Sequence, residues 1–160
     1  MSHRVGHGFD AHRLVSGRLL RLGGVAIPFD RGLEGHSDGD CVLHAVCDAL
    51  LGAAAAGDMG LHFPSSDPKW KGASSRDFVT EVARLLRDRG YVVENVDVTV
   101  MAQAPVLAPH LPKMRETLGS LLGLPTEAVS VKAKSTDGLG ALGRVEGIAA
   151  QAVALVRRSA

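Results

Sequence analysis

Asp10-Ala11-His12 sets a carboxylate and an imidazole two residues apart. If an extended strand runs through them, both side chains leave the same face. A carboxylate and imidazoles around an open fourth position are what a catalytic zinc ion asks of a protein. His44 completes such a set, one helical turn after Asp40 and one before Asp48, on a polar stripe of an otherwise apolar run. Five of the seven histidines (3, 7, 12, 36 and 44) stand in the first 44 residues, gathering ligating capacity at that end of the chain. The same residues read equally well as polar loop groups and a helix histidine with its hydrogen bonds satisfied.

His36-Ser37-Asp38-Gly39-Asp40 precedes an apolar helix pattern. Free N–H groups at a helix start suit an anion, and two acids beside a histidine suit a metal–phosphate site. Spacing alone favours the plainer account of an N-cap with first-turn acids. Lys132-Ala133-Lys134-Ser135-Thr136-Asp137 offers ammonium, hydroxyl and carboxylate groups at a strand end, suited to phosphate oxygens and a hard cation; a solvated strand end is the commoner reading. Gly138 to Gly143 satisfies G-x-G-x-x-G, but too few residues follow for a dinucleotide-binding βαβ unit, so a glycine turn is expected. Cys41 and Cys47, six apart in one helix, fall on different faces and read as small core residues without a disulfide, which suits a reducing cytoplasm. His62 and His110 stand alone in loops and are assigned nothing.

The elements that must position these groups follow from periodicity. Val5–Phe9 reads as a strand running into Asp10, and Gly23-Gly24 as the turn of a hairpin. Ser37 and Asp40 form a capping pattern before a helix with Val46, Leu50 and Ala53 on its buried stripe. Residues 57–73 read as a long, functional loop. Ser74 and Asp77 repeat the capping pattern before a second helix with Phe78, Val82, Leu85 and Leu86 inward and Gly90 just past its end. Strands are expected at Val96–Val100 and Val129–Ala133, with a third helix at Leu111–Leu122 ended by Gly123. Ile148–Val156 is apolar on both faces, and periodicity cannot separate strand from helix there. The expected fold is a single-domain mixed α/β sandwich over residues 1–160: a mixed four-stranded sheet with helices on one face, plus a small hairpin.

Composition bounds the function. With 160 residues, 46% hydrophobic and 22% charged, the chain can bury one core. Eighteen basic against 17 acidic side chains give +1, which excludes nucleic-acid or membrane-surface binding by bulk charge. No apolar run spans a bilayer, and Asp10 and His12 interrupt any signal-peptide core, so a cytoplasmic protein is expected.

Taken together, Gly6–His12, His36–Asp40, Leu43–Ala45, Asp48–Ala53, Gly57–Gly60, Phe63-Pro64, Asn95–Thr99, Ala102–Pro105 and Arg144–Ala149 resemble the 2-C-methyl-D-erythritol 2,4-cyclodiphosphate synthases nearly end to end. The resemblance implies a lyase of the non-mevalonate isoprenoid route. In it the 2-phosphate of 4-diphosphocytidyl-2-C-methyl-D-erythritol 2-phosphate attacks the β-phosphorus and releases CMP. It implies that Asp10, His12 and His44 hold zinc, with substrate phosphate at the open position. His36 and Ser135 would hold phosphate oxygens in the transition state, with Ser37 beside them. Asp58, Met59, Gly60, Phe63, Pro64, Ser65, Ser66 and Asp67 would form the methylerythritol loop. Ala102, Gln103, Ala104, Pro105, Val106, Leu107 and Ala108 would form the cytidine pocket, and Lys134, Ser135, Thr136 and Asp137 the diphosphate segment. Asp137 stands where the family has a glutamate for Mg2+ or Mn2+, and Ser135 where a threonine is common. Ser65 stands where an acid is frequent. The family is a homotrimer with sites between subunits and a central cavity near Arg144. Ala141, in place of a frequent aromatic, counts against a prenyl diphosphate there. The same residues also fit a metal-dependent phosphohydrolase or a non-catalytic trimeric binding module.

Overall fold

The computed structural model describes residues 2–159. Strand β1 (His3–Ser16) is followed by a hairpin of β2 (Leu20–Leu22) and β3 (Val25–Ile27), then by β4 (Arg31–Leu33) and helix α1 (Cys41–Ala53). After α2 (Met59–His62) come α3 (Ser75–Asp88), β5 (Tyr91–Met101), α4 (Leu111–Leu122), β6 (Val129–Lys134), α5 (Gly140–Gly143) and β7 (Gly147–Arg158). The main sheet runs β4-β1-β7-β5-β6, with β5 and β6 parallel and the other pairs antiparallel.

The sheet has five strands, not the four expected. The extra one is β4, whose Arg31–Leu33 pair with Ser16–Leu14 at the far end of β1. A three-residue strand is too short to display a period of two, so nothing in the sequence marks it. The segment that periodicity left open is β7, which lies between β1 and β5. Its inward residues Ala150, Ala152, Ala154 and Val156 are buried.

Helices cover one face of the sheet, where Val96, Val98, Val100 and Val129 join the β7 alanines in one core. Helix α1 is its centre, buried on every side but one: His44 and Asp48 are half-buried and Gly52 is exposed, each four residues from the last. On the opposite face of the sheet Val5, Phe9 and Val153 remain 66%, 53% and 42% exposed.

Asp40, not Ser37, caps α1, its carboxylate accepting the Leu43 N–H. The same carboxylate accepts the N–H groups of Gly23 and Gly24 at 2.9 and 2.7 Å. Both glycines have positive φ, 60° and 74°, as a tight hairpin turn of this hand requires. One buried side chain therefore fastens the hairpin to the start of the helix, although burial pushes the Asp40 carboxyl above its ordinary value. Residues 57–73 are not a bare loop: they contain α2 and a helical turn at Pro68–Trp70. Ser74 caps α3 as expected, and Gly123 ends α4 at φ 67°. Cys41 and Cys47 are buried free thiols, held well above their usual pKa by burial. Among the described residues, no helix is long and apolar enough to cross a membrane.

Candidate metal centre and active site

Asp10 and His12 leave the same face of β1 as Gly6 and Gly8, at the point where the strand passes over α1. His44 rises from α1 to meet them. The Asp10 Oδ2 lies 2.8 Å from His12 Nε2 and 2.9 Å from His44 Nδ1, and the two ring nitrogens are 3.2 Å apart. Among the described residues, these three form a group of side chains able to ligate a metal, their atoms converging on one point. All are half-buried, so one side stays open to an incoming ligand. One carboxylate oxygen and two imidazole nitrogens, packed this closely and open on one side, fit a tetrahedral zinc ion with a vacant position.

Burial alone would raise the Asp10 carboxyl, but hydrogen bonds to His12 and His44 hold it well below the usual carboxylate range. The same contact with Asp10 raises the His12 imidazole, against the effect of burial. Behind the cluster, His44 Nε2 lies 2.9 Å from the Ser75 hydroxyl and 3.2 Å from that of Ser37. Ser75 in turn donates its hydroxyl to Asp38 Oδ1 and its N–H to Oδ2 at 3.1 Å.

A cavity of about 210 Å³ opens in front, lined by His12, His36, Ser37, His44, Met59 and Ser65 with an aromatic wall. In that wall Phe63 stacks on Phe78 at 4.7 Å and Trp70 meets both edge-on. Asp48, one turn beyond His44, accepts the Met59 N–H at 2.8 Å and so ties α2 to α1. Asp58 and Asp67 cap local turns by accepting the N–H groups of Leu61 and Lys69; Gly60, Pro64 and Ser66 lie on the same segment without lining the cavity.

The remaining expected site residues sit elsewhere. Ala102, Gln103, Pro105, Val106, Leu107, Ala108, Lys134 and Ser135 line a second cavity of about 250 Å³, and Ala104 is in the same loop. Gln103 Oε1 accepts the Gly138 N–H at 3.0 Å, and the Ser135 hydroxyl donates to Asp137 at 3.0 Å, so the two loops there are joined. Thr136 donates to the Leu139 carbonyl. This cavity shares no lining residue with the first. Arg144 lines a third, with Arg13 and Arg31, and pairs with Glu146 at 2.6 Å; Ala141 is exposed on α5. Sequence reasoning missed Ser75, Trp70 and Phe78 as neighbours of the site; Asp38 it placed only among the acids beside His36, not behind His44. No spacing rule joins Ser75 to His44 across 31 residues.

The family model described as the YgbB family matches residues 3–157. Over 160 residues the chain is 55% identical to the 2-C-methyl-D-erythritol 2,4-cyclodiphosphate synthase of Burkholderia thailandensis, covering 100% of this chain and 99% of that one. Among solved structures, a 2C-methyl-D-erythritol-2,4-cyclodiphosphate synthase in a CDP-bound form matches with TM-score 0.89 at 38% identity, covering 96% of this chain and 100% of that one. The bifunctional IspDF of Campylobacter jejuni matches with TM-score 0.95 at 37% identity, over 98% of this chain and 42% of that longer one. The match runs the length of the chain in both sequence and fold, and the chain therefore belongs to the YgbB family, that of the 2-C-methyl-D-erythritol 2,4-cyclodiphosphate synthases.

Proposed function

We propose that this chain, acting as one domain, converts 4-diphosphocytidyl-2-C-methyl-D-erythritol 2-phosphate to 2-C-methyl-D-erythritol 2,4-cyclodiphosphate and CMP. The observation that carries the reading is the meeting of Asp10, His12 and His44 beside a cavity that the two histidines line, in a chain with full-length synthase relatives. An oxygen of the 2-phosphate forms a bond to the β-phosphorus. The bond from that phosphorus to the bridging oxygen breaks, and CMP leaves with the electron pair. The nucleophile is already an anion, so the protein's work is positioning and charge neutralisation.

Asp10, His12 and His44 would hold zinc, which when bound supplies a Lewis acid and a template for phosphate oxygens. His36 and Ser37, on the wall of the same cavity, donate hydrogen bonds to those oxygens. The aromatic wall and Met59 enclose the methylerythritol carbon skeleton. The second cavity takes cytidine, and Lys134 and the Ser135 hydroxyl at its edge hold the diphosphate. Asp137, an exposed carboxylate beside Ser135, suits a Mg2+ or Mn2+ ion that keeps water and phosphate oxygens as its other ligands.

Two features support a homotrimer with sites between subunits. The metal cavity and the cytidine cavity do not meet within one chain, and the outer sheet face leaves Val5, Phe9 and Val153 uncovered. The free thiols of Cys41 and Cys47 suit a cytoplasmic enzyme. Incubation with the named substrate tests the reaction. CMP with the cyclic diphosphate supports it, whereas CMP with an acyclic diphosphate makes the protein a phosphohydrolase, and no turnover leaves a binding module.

A further inference from the structure

We propose that Ser75, backed by Asp38, is a positioning residue for the metal centre: it fixes which nitrogen of His44 faces the ion. The argument is an accounting of protons. The Asp38 carboxylate can only accept hydrogen bonds. It receives the Ser75 hydroxyl at Oδ1 and the Ser75 N–H at Oδ2, 3.1 Å away, with the Asp40 N–H 3.2 Å from Oδ1. The single hydroxyl proton of Ser75 is therefore committed to Asp38, and its oxygen has only lone pairs left to offer. His44 Nε2, 2.9 Å from that oxygen, must be the donor. The Ser37 hydroxyl oxygen, 3.2 Å from the same nitrogen, accepts the Gly39 N–H at 3.3 Å and provides a second acceptor. With Nε2 committed as a donor, Nδ1 is the nitrogen left to give its lone pair to an ion at the point where Asp10 and His12 converge.

The arrangement is rigid. Ser75 is fully buried and is the first residue of α3, so its backbone cannot drift from α1 without breaking the grip on Asp38. The opposite direction of donation, from Ser75 to His44, would leave a serine lone pair facing a carboxylate oxygen. Outer groups that orient a ligating imidazole through its other nitrogen characteristically affect metal affinity by 10–100-fold.

This inference rests on the metal-site reading, and competition with a zinc chelator separates the two. Wild-type protein that binds no zinc removes the metal site itself. If wild type binds, Ser75→Ala and Asp38→Asn should each bind zinc roughly 10–100-fold more weakly. Their cobalt-substituted forms should show altered ligand-field spectra. Long-range proton–nitrogen correlation spectra of the zinc-loaded wild type should show His44 protonated at Nε2. A proton on Nδ1 overturns the assignment, as does unchanged zinc affinity in both variants. Should Ser75→Ala fail to fold, Asp38→Asn and the wild-type spectrum decide alone.

Discussion

A Cβ placed on Gly8 would lie 1.9 Å from the carbonyl oxygen of Ala45, so strand β1 touches the backbone of α1 directly. Gly6 meets Ala49 in the same way, also at 1.9 Å. Asp10 and His12 continue that face of the strand, and His44 is the neighbour of Ala45 on the helix. The close approach sets the distance at which the three ligating groups meet.

Gly8→Ala should therefore damage fold and site together. The contact is with backbone, which cannot rotate aside, so the strand must lift from the helix at a cost above ~3 kcal/mol. Thermal unfolding should show a fall in Tm of more than about 6 °C, with loss of zinc binding. A variant that melts within about 2 °C of wild type would show that the strand and helix separate freely.

Zinc should stabilise the folded protein, because the converged ligand set exists only there. At a free zinc concentration 100 times Kd, the gain is about 2.7 kcal/mol, or roughly 5–10 °C in Tm. His44→Ala should lose that gain and all turnover. Retention of stoichiometric zinc by this variant, measured by elemental analysis, would be incompatible with its role as a ligand.

Burial raises the Asp48 carboxyl above its ordinary 3.8, although the Met59 N–H opposes the shift. A carboxyl that holds its proton more tightly when folded lowers stability as pH rises from the unfolded value through the folded one. The penalty is absent below that window and complete above it. Asp48→Asn keeps an oxygen acceptor for Met59 and removes the charge. It should melt above wild type at pH 7 and level with it near pH 3. Equal melting at both pH values would refute the account.

Phe9→Asp or Val153→Asp places a charge on the uncovered face of the sheet, away from the core. If this face joins three chains, light scattering should show the wild type at three chain masses and the variants as folded monomers without turnover. Variants that keep the wild-type mass would move the interface elsewhere.

Asp10 and His12 were legible as a pair because a period of two is a local property of a strand, and the stripe of His44 and Asp48 because a period of 3.6 is local to a helix. The hairpin glycines and the caps at Ser74 and Gly123 were legible for the same reason: each acts on its immediate neighbours. The cap of α1 was misplaced in the sequence pattern: Asp40, not Ser37, takes the Leu43 N–H, and its further grip on Gly23 and Gly24 spans a hairpin and a loop that no local spacing shows. Strand β4 carried too few residues to show a pattern, and β7 carried an apolar one that became a strand only through pairing on both edges.

By itself, the sequence determined the chemical types available, their local faces, and the resemblance that names a reaction. Tertiary structure alone decided that Ser75 and Asp38 stand behind His44, that Trp70 and Phe78 wall the cavity, and that the loop at 102–108 lines a different cavity from His12 and His44. Those relations depend on how α3 and the sheet ends pack against α1. Packing joins residues through shape and buried area, and neither quantity has a period along the chain.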